Sequence, residues 1–272
     1  MTDRSADAAL GLLVVYAMDM YHSSSALNPA PDPRLAPEWI VRGYLTAFDA
    51  VFRQGPLQSG ARVCYGFLAQ SAVDPLQWVA VIRGTDGLVA WLEDAEFAQV
   101  PHPAGGHAEV GFYGLYGSMQ LDGVPAAQAI ASRVGKGRIT VVGHSLGSAL
   151  ATFLTLDLAK LCNVRGRFFA SPHPGDADFG AAFDRSVADY TVYAYSLDVV
   201  PHVPFGFGYM ALRNLTIIST QASQARIRLG LDCSHHIVDY CAALDYNLAD
   251  WSKFPAQDLD CVACIKGPSA SV

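Results

Sequence analysis

Apolar residues recur along this chain with two different periods, and the switches between them divide it into elements. Over residues 8–20, and on to Tyr21, Leu10, Leu13, Val14, Ala17 and Tyr21 share one face at helical spacing. That pattern predicts an amphipathic helix packed on the rest of the protein. Residues 29–37 are a proline-rich loop and residues 54–60 a second turn. Residues 61–70 and 76–82 have the length and composition of neighbouring strands joined across 71–75. Helices are expected over 113–119 and 124–134, followed by Ile139-Thr140-Val141-Val142, whose β-branched residues suit a strand covered on both faces. Residues 146–160 are rich in Ala and Leu, with neither Pro nor Gly after Gly147, and read as a helix. Strands at 167–170, 191–197 and 215–219 and helices at 176–183 and 237–248 complete the pattern. Strands and helices alternate, which predicts an α/β protein with a largely parallel central sheet flanked by helices.

Between the buried strand and its helix stands Gly143-His144-Ser145-Leu146-Gly147, a G-x-S-x-G. A turn this abrupt needs small flanking residues and lifts the Ser145 hydroxyl clear of the backbone. The helix that follows directs its positive end at the same spot, where an oxyanion can be held. A serine hydroxyl is a weak nucleophile at neutral pH, so it needs a base and a group to orient that base. Downstream histidines are His173, His202, His235 and His236. His173 and His202 lie in proline-flanked turns, where a structural role is the simpler reading. His235 and His236 stand at the entry of the last helix. The orienting acid belongs just past a strand, because sites in open α/β sheets form at the carboxyl ends of strands. Asp198 meets that condition, whereas Asp176, Asp178 and Asp184 belong to a helix or its start, where capping is the plainer role.

Composition narrows the partners. The chain has 272 residues, 51% hydrophobic and 16% charged, enough for a large core, and its net charge is −7 without any basic run. Nucleic acid and anionic membrane surfaces are therefore poor partners. The apolar stretch near the start is flanked by Asp3, Asp7 and Asp19 and is too short to span a bilayer. It does not read as a signal peptide, and a cytoplasmic location without a transmembrane segment is the resulting expectation. Cys64, Cys162, Cys233, Cys241, Cys261 and Cys264 are scattered; Cys261 and Cys264 form a C-x-x-C, but Cys233 and Cys241 lack the spacing of a second zinc pair. Free thiols, or a disulfide outside the cytoplasm, are the expected state. No metal or organic cofactor is expected.

Six pieces of the chain then stand in a telling order: Val81-Ile82-Arg83-Gly84-Thr85, Val110-Gly111-Phe112-Tyr113, the G-x-S-x-G, Ala170-Ser171-Pro172-His173-Pro174-Gly175-Asp176, Asp198-Val199-Val200-Pro201-His202-Val203-Pro204, and His235-His236-Ile237-Val238-Asp239-Tyr240. Together they resemble the class 3 lipases, the fungal-lipase-like group, over roughly residues 76–244. The resemblance implies an α/β-hydrolase fold and a triad of Ser145, Asp198 and His235, with Tyr240 selecting His235 over His236 by its distance along the chain. It implies Thr85 and Leu146 as oxyanion donors and a short lid at residues 86–94. Where the family often has His-x-Gly-Phe, this chain has Glu109. The expected whole is one domain over 1–272, with an N-terminal helix at 1–25 and a C-terminal tail at 252–272. Its expected activity is hydrolysis of carboxylic esters, as a triacylglycerol lipase or esterase in transient contact with a lipid interface. The alternatives are a short-chain, aryl-ester or phospholipid A-type esterase, and a non-catalytic acyl-binding protein.

Overall fold

The computed structural model describes residues 3–48, 61–85, 98–206, 208–221, 225–251 and 264–266. Nine strands form one sheet, in the spatial order Leu215–Ile218, Tyr190–Tyr195, Asn163–Phe169, Arg138–His144, Gln77–Ile82, Arg62–Ser71, Trp39–Phe48, Gln120–Leu121 and Val124–Pro125. The first five run parallel to one another. The others pair antiparallel, so the sheet is mixed and its parallel half carries the G-x-S-x-G.

Alternation along the buried strands feeds two cores. Val141 and Ile82 join the cluster that contains Leu150, Phe153 and Phe168. Val142 and Val81 point the other way, into the cluster of Leu13, Val14, Phe169 and Tyr240. The first core is capped by the helices Val110–Gly117, Ala126–Val134 and Leu146–Leu158, the second by Asp3–Ser23 and Ile237–Leu244. This is the layered α/β arrangement that the alternating pattern predicts.

The N-terminal helix does more than cover apolar surface. Asp7, buried, accepts two 2.9 Å hydrogen bonds from Arg167 Nε and one of 2.6 Å from the Tyr193 hydroxyl. Burial, and after it the bond to Asp7, raises the Tyr193 pKa. Gly11 lets this helix close on the last one, since a Cβ there would lie 2.6 Å from Cys241 Sγ. The same Asp7 that argued against a signal peptide thus ties helix to sheet. A second sheet of four short strands, Tyr209–Met210, Gly175–Asp176, His107–Glu109 and Gln99–Pro101, is an addition that the hydrophobic pattern does not announce. No described helix is long and apolar enough to cross a membrane.

Candidate active site

Ser145 stands at the junction of the strand Arg138–His144 and the helix Leu146–Leu158, with φ 57° and ψ −130°. Positive φ is costly for a residue with a side chain and survives only where the surroundings enforce it. Here they do. The Ser145 N–H donates to Phe169 O at 2.9 Å, and the Ser148 hydroxyl lies within 2.7 Å of Gly143 O and 2.8 Å of Phe169 O. The two motif glycines have a steric cause: a Cβ on Gly143 would meet Gly147 O at 2.4 Å, and one on Gly147 would meet Arg83 O at 2.4 Å. The Ser145 hydroxyl is buried and has no hydrogen-bond partner among the described residues.

Asp198 follows the strand Tyr190–Tyr195 and is 3% exposed. One carboxylate oxygen accepts from the Val200 N–H at 2.9 Å; the other accepts from His235 Nδ1 at 2.8 Å and from the Tyr240 hydroxyl at 2.7 Å. The Tyr240 hydroxyl in turn accepts from the Tyr195 N–H at 2.9 Å. Burial, and after it the neighbouring Asp198 charge, pushes the Tyr240 pKa far above its ordinary value, so it remains a donor. With Nδ1 committed to Asp198, His235 leaves Nε2 buried and without a hydrogen-bond partner among the described residues. Two unpartnered groups, a hydroxyl and an imidazole nitrogen, therefore sit at the carboxyl end of the parallel strands. Buried polar groups are nearly always bonded, so both stand out.

The main chain of His235 is also held. His144 Nε2 lies 2.6 Å from His235 O and donates to it, and the two rings pack with centroids 4.7 Å apart. Burial first, and the proximity of His235 second, lowers the His144 pKa well below the ordinary histidine value. His144 is consequently a neutral donor whose tautomer the carbonyl sets.

The segment Arg83-Gly84-Thr85 runs beside Ser145: a Cβ on Gly84 would lie 3.2 Å from both His144 O and Ser145 Cβ. Arg83 fixes it from beneath. Its Nε donates to Cys64 O at 2.9 Å, its Nη1 donates to Gly84 O at 2.7 Å, and its guanidinium stacks 3.4 Å over the Tyr21 ring and 4.7 Å over Tyr65. A buried cation stacked on two rings is well stabilised. Leu146 is the first residue of its helix, where backbone N–H groups have no intrahelical acceptor. Residues 86–94, the expected lid, lie outside the described residues.

The remaining candidates are elsewhere. His173 Nδ1 donates to Pro204 O at 3.2 Å, and His202 ends the 3-10 turn Val200–His202. His236 caps the start of the last helix, its carbonyl accepting from the Asp239 N–H at 3.0 Å. Asp176 caps Ala177–Ser186 through the Phe179 N–H at 2.8 Å and holds His107 at 2.9 Å; Asp184 lies 3.3 Å from Arg213. Glu109, in the family's histidine position, accepts from the Phe112 N–H at 2.6 Å and caps Val110–Gly117; burial raises its pKa. Three residues escaped sequence reasoning: Arg83, His144 and Tyr240 as a bonding partner. All three stood inside the quoted motifs, which was the available signal. Cys233 and Cys264 are joined in a disulfide, which removes two of the four thiols that a zinc site would have used.

Residues 79–207 match the family model of the class 3 lipases. The lipase of Rhizomucor miehei is 26% identical over 181 residues, which cover 61% of this chain and 50% of that one. The secreted mono- and diacylglycerol lipase A of Penicillium cyclopium is 27% identical, covering 56% of this chain and 54% of that one. The chain thus spans about half the length of these relatives. Among solved structures, M37 lipase superposes with a TM-score of 0.61 at 17% identity, over 93% of this chain and 98% of that one, which is a likeness of fold. One expectation is overturned. A cytoplasmic location does not fit a relative that is a secreted enzyme, nor a Cys233–Cys264 bridge, because disulfides persist in oxidising compartments. The α/β-hydrolase fold, the six ordered motifs and the model matched over residues 79–207 converge on a likeness to the class 3 lipases.

Proposed function

We propose that this chain is a serine hydrolase that cleaves carboxylic esters of lipids, acylglycerols foremost, through an acyl-enzyme. The observation that carries the reading is the Asp198–His235 hydrogen bond of 2.8 Å, which leaves His235 Nε2 and the strained, unpartnered Ser145 hydroxyl as the only uncommitted groups of the described site. Ser145 Oγ attacks the ester carbonyl while His235 Nε2 takes its proton. Asp198 stabilises the imidazolium, and Tyr240 and the Val200 N–H hold Asp198 in place. The Leu146 N–H and Thr85 receive the oxyanion; each such donor contributes roughly 3 kcal/mol in the transition state. His235 then returns the proton to the departing alcohol, and water repeats the sequence to release the acid.

A lipid substrate is supported by the relatives' names and by Leu197 and Val199, which flank Asp198 in sequence and are both exposed. Exposed apolar side chains next to a site residue suit contact with a lipid surface. The bridged cysteines suit work outside the cytoplasm.

The test is Ser145→Ala, assayed on nitrophenyl esters and triglycerides of increasing chain length. The variant is expected to fold and to lose nearly all turnover. Ordinary turnover in the folded variant would end the serine-hydrolase reading. In the native protein, preference for long acyl chains is expected; activity confined to short or aryl esters would make the protein an esterase, and binding of acyl chains without turnover would make it an acyl-binding protein.

A further inference from the structure

The base is held very differently on its two sides. Towards the C-terminus, His235 leads into Ile237–Leu244, a helix with all eight residues buried. Towards the N-terminus it ends a single helical turn, Leu231–His235, and the chain before that turn is the strand Arg226–Ile227. Among the described residues that strand pairs with Ile265–Lys266, in a two-stranded ribbon separate from the nine-stranded sheet. Such a ribbon has little stability of its own in water. Ile227 and Ile265 pack, partly buried, against the second core, and the ribbon is tied to the turn by the Cys233–Cys264 bond, two residues before His235, and closed by the 2.7 Å hydrogen bond from the Arg228 N–H to Cys264 O.

We propose that Cys233 and Cys264 are positioning residues for catalysis: their bond fixes the turn that aims His235 Nε2 at Ser145. This rests on the triad assignment above. The geometry makes the effect local. Asp198 and the His144 donor hold one edge of the imidazole and the carbonyl of its residue, but neither fixes the turn's approach. Without the bond, the His235 main chain keeps its anchor on the helix side but loses the cross-link on the other, and the ring can pivot about its Nδ1–Asp198 contact. A pivot about Nδ1 displaces Nε2, which lies across the ring from the fixed contact. Misplacing a reacting group by about 1 Å costs on the order of 10²-fold in rate. Both half-cystines are buried, and they stand 31 positions apart along the chain, on either side of His235 and its helix.

The test is the Cys233→Ala/Cys264→Ala double variant, assayed on a soluble short-chain ester. Replacing both cysteines prevents Cys261, three residues before Cys264, from pairing with Cys233 instead. The expected result is a fall in kcat of tenfold or more with KM unchanged, while the helical circular-dichroism signal stays native. If the variant does not fold, the folded wild type treated with a small dithiol, with thiol release counted by mass spectrometry, reads the same quantity. In that arm kcat should fall as Cys233 and Cys264 become thiols and return on reoxidation; the other described cysteines, Cys64, Cys162 and Cys241, are already free. Unchanged kcat with both thiols released, or a loss that simply follows loss of helix signal, overturns the positioning role. Neither result touches the triad, which fails separately if Ser145→Ala is active.

Discussion

The proposed nucleophile and the proposed base are held by opposite means. Ser145 is held by backbone: parallel strands on both sides of its own, a bond from its N–H to Phe169, and two glycines whose hydrogens are all that fit between neighbouring carbonyls. His235 is held by side chains: Asp198, His144, and through Asp198 the Tyr240 hydroxyl, with a disulfide behind. A backbone-built position tolerates almost no change in residue type, while a side-chain-built position can be dismantled one bond at a time. The lesson is that the base's side offers graded losses where the nucleophile's side offers abrupt ones.

The largest break on the base's side is the base itself. His235→Ala should lower kcat by on the order of 10⁴, the cost of removing a triad base, whereas His236→Ala, whose main chain only starts the last helix, should cost far less. Reversed costs in the two variants' kcat values would move the base to His236.

Tyr240→Phe narrows the question by removing the bond to Asp198, and with it the one accepted from the Tyr195 N–H, and no volume of note. A hydrogen bond to a charged group contributes about 1.5–3 kcal/mol, so a fall of about tenfold or more in kcat is expected, with KM unchanged. An unaffected kcat would mean that Asp198 needs only His235 and Val200.

The smallest effect on rate is expected at Asp239, beside Tyr240 yet outside the bonded chain. Its carboxyl is fully buried with neither oxygen hydrogen-bonded, and burial pushes its pKa up to about 8. In the unfolded chain the same group titrates near 3.9. Between those values the folded protein holds a proton that the unfolded chain has released, so stability falls as pH rises through that window and levels off above it. Asp239→Asn should remove this part of the slope and raise Tm at pH 8 by several degrees, at about 2–4 °C per kcal/mol, with kcat nearly unchanged. Parallel Tm–pH curves for variant and wild type would show that Asp239 titrates normally.

What could be seen in the sequence follows the same division. The elbow was legible because a tight turn restricts residue types locally, so Gly143 and Gly147 write the geometry into adjacent positions. The order of Ser145, Asp198 and His235 was legible from the ends of strands and from the family's motifs. The strand Trp39–Phe48 was not, because register shifts between Val41 and Gly43 and between Leu45 and Thr46 break the two-residue alternation that marks a strand. The helix Val110–Gly117 begins earlier than the expected residue 113, since Glu109 is an uncommon cap and Gly111, Gly114 and Gly117 weaken the helical signal. Arg83 lies on Tyr21 across 62 positions of chain, and Cys233 pairs with Cys264 across 31. Contacts between distant residues leave no periodic trace, which is why the supports of the site were less readable than its motifs.

The central claim is that Ser145 is the group activated by the Asp198–His235 pair. Its most direct test is covalent: incubation with a fluorophosphonate, then localisation of the adduct by peptide mass spectrometry. One adduct per chain on Ser145, formed much more slowly in His235→Ala, is the predicted result. An adduct on another residue, or full esterase activity with Ser145 unlabelled, would contradict it.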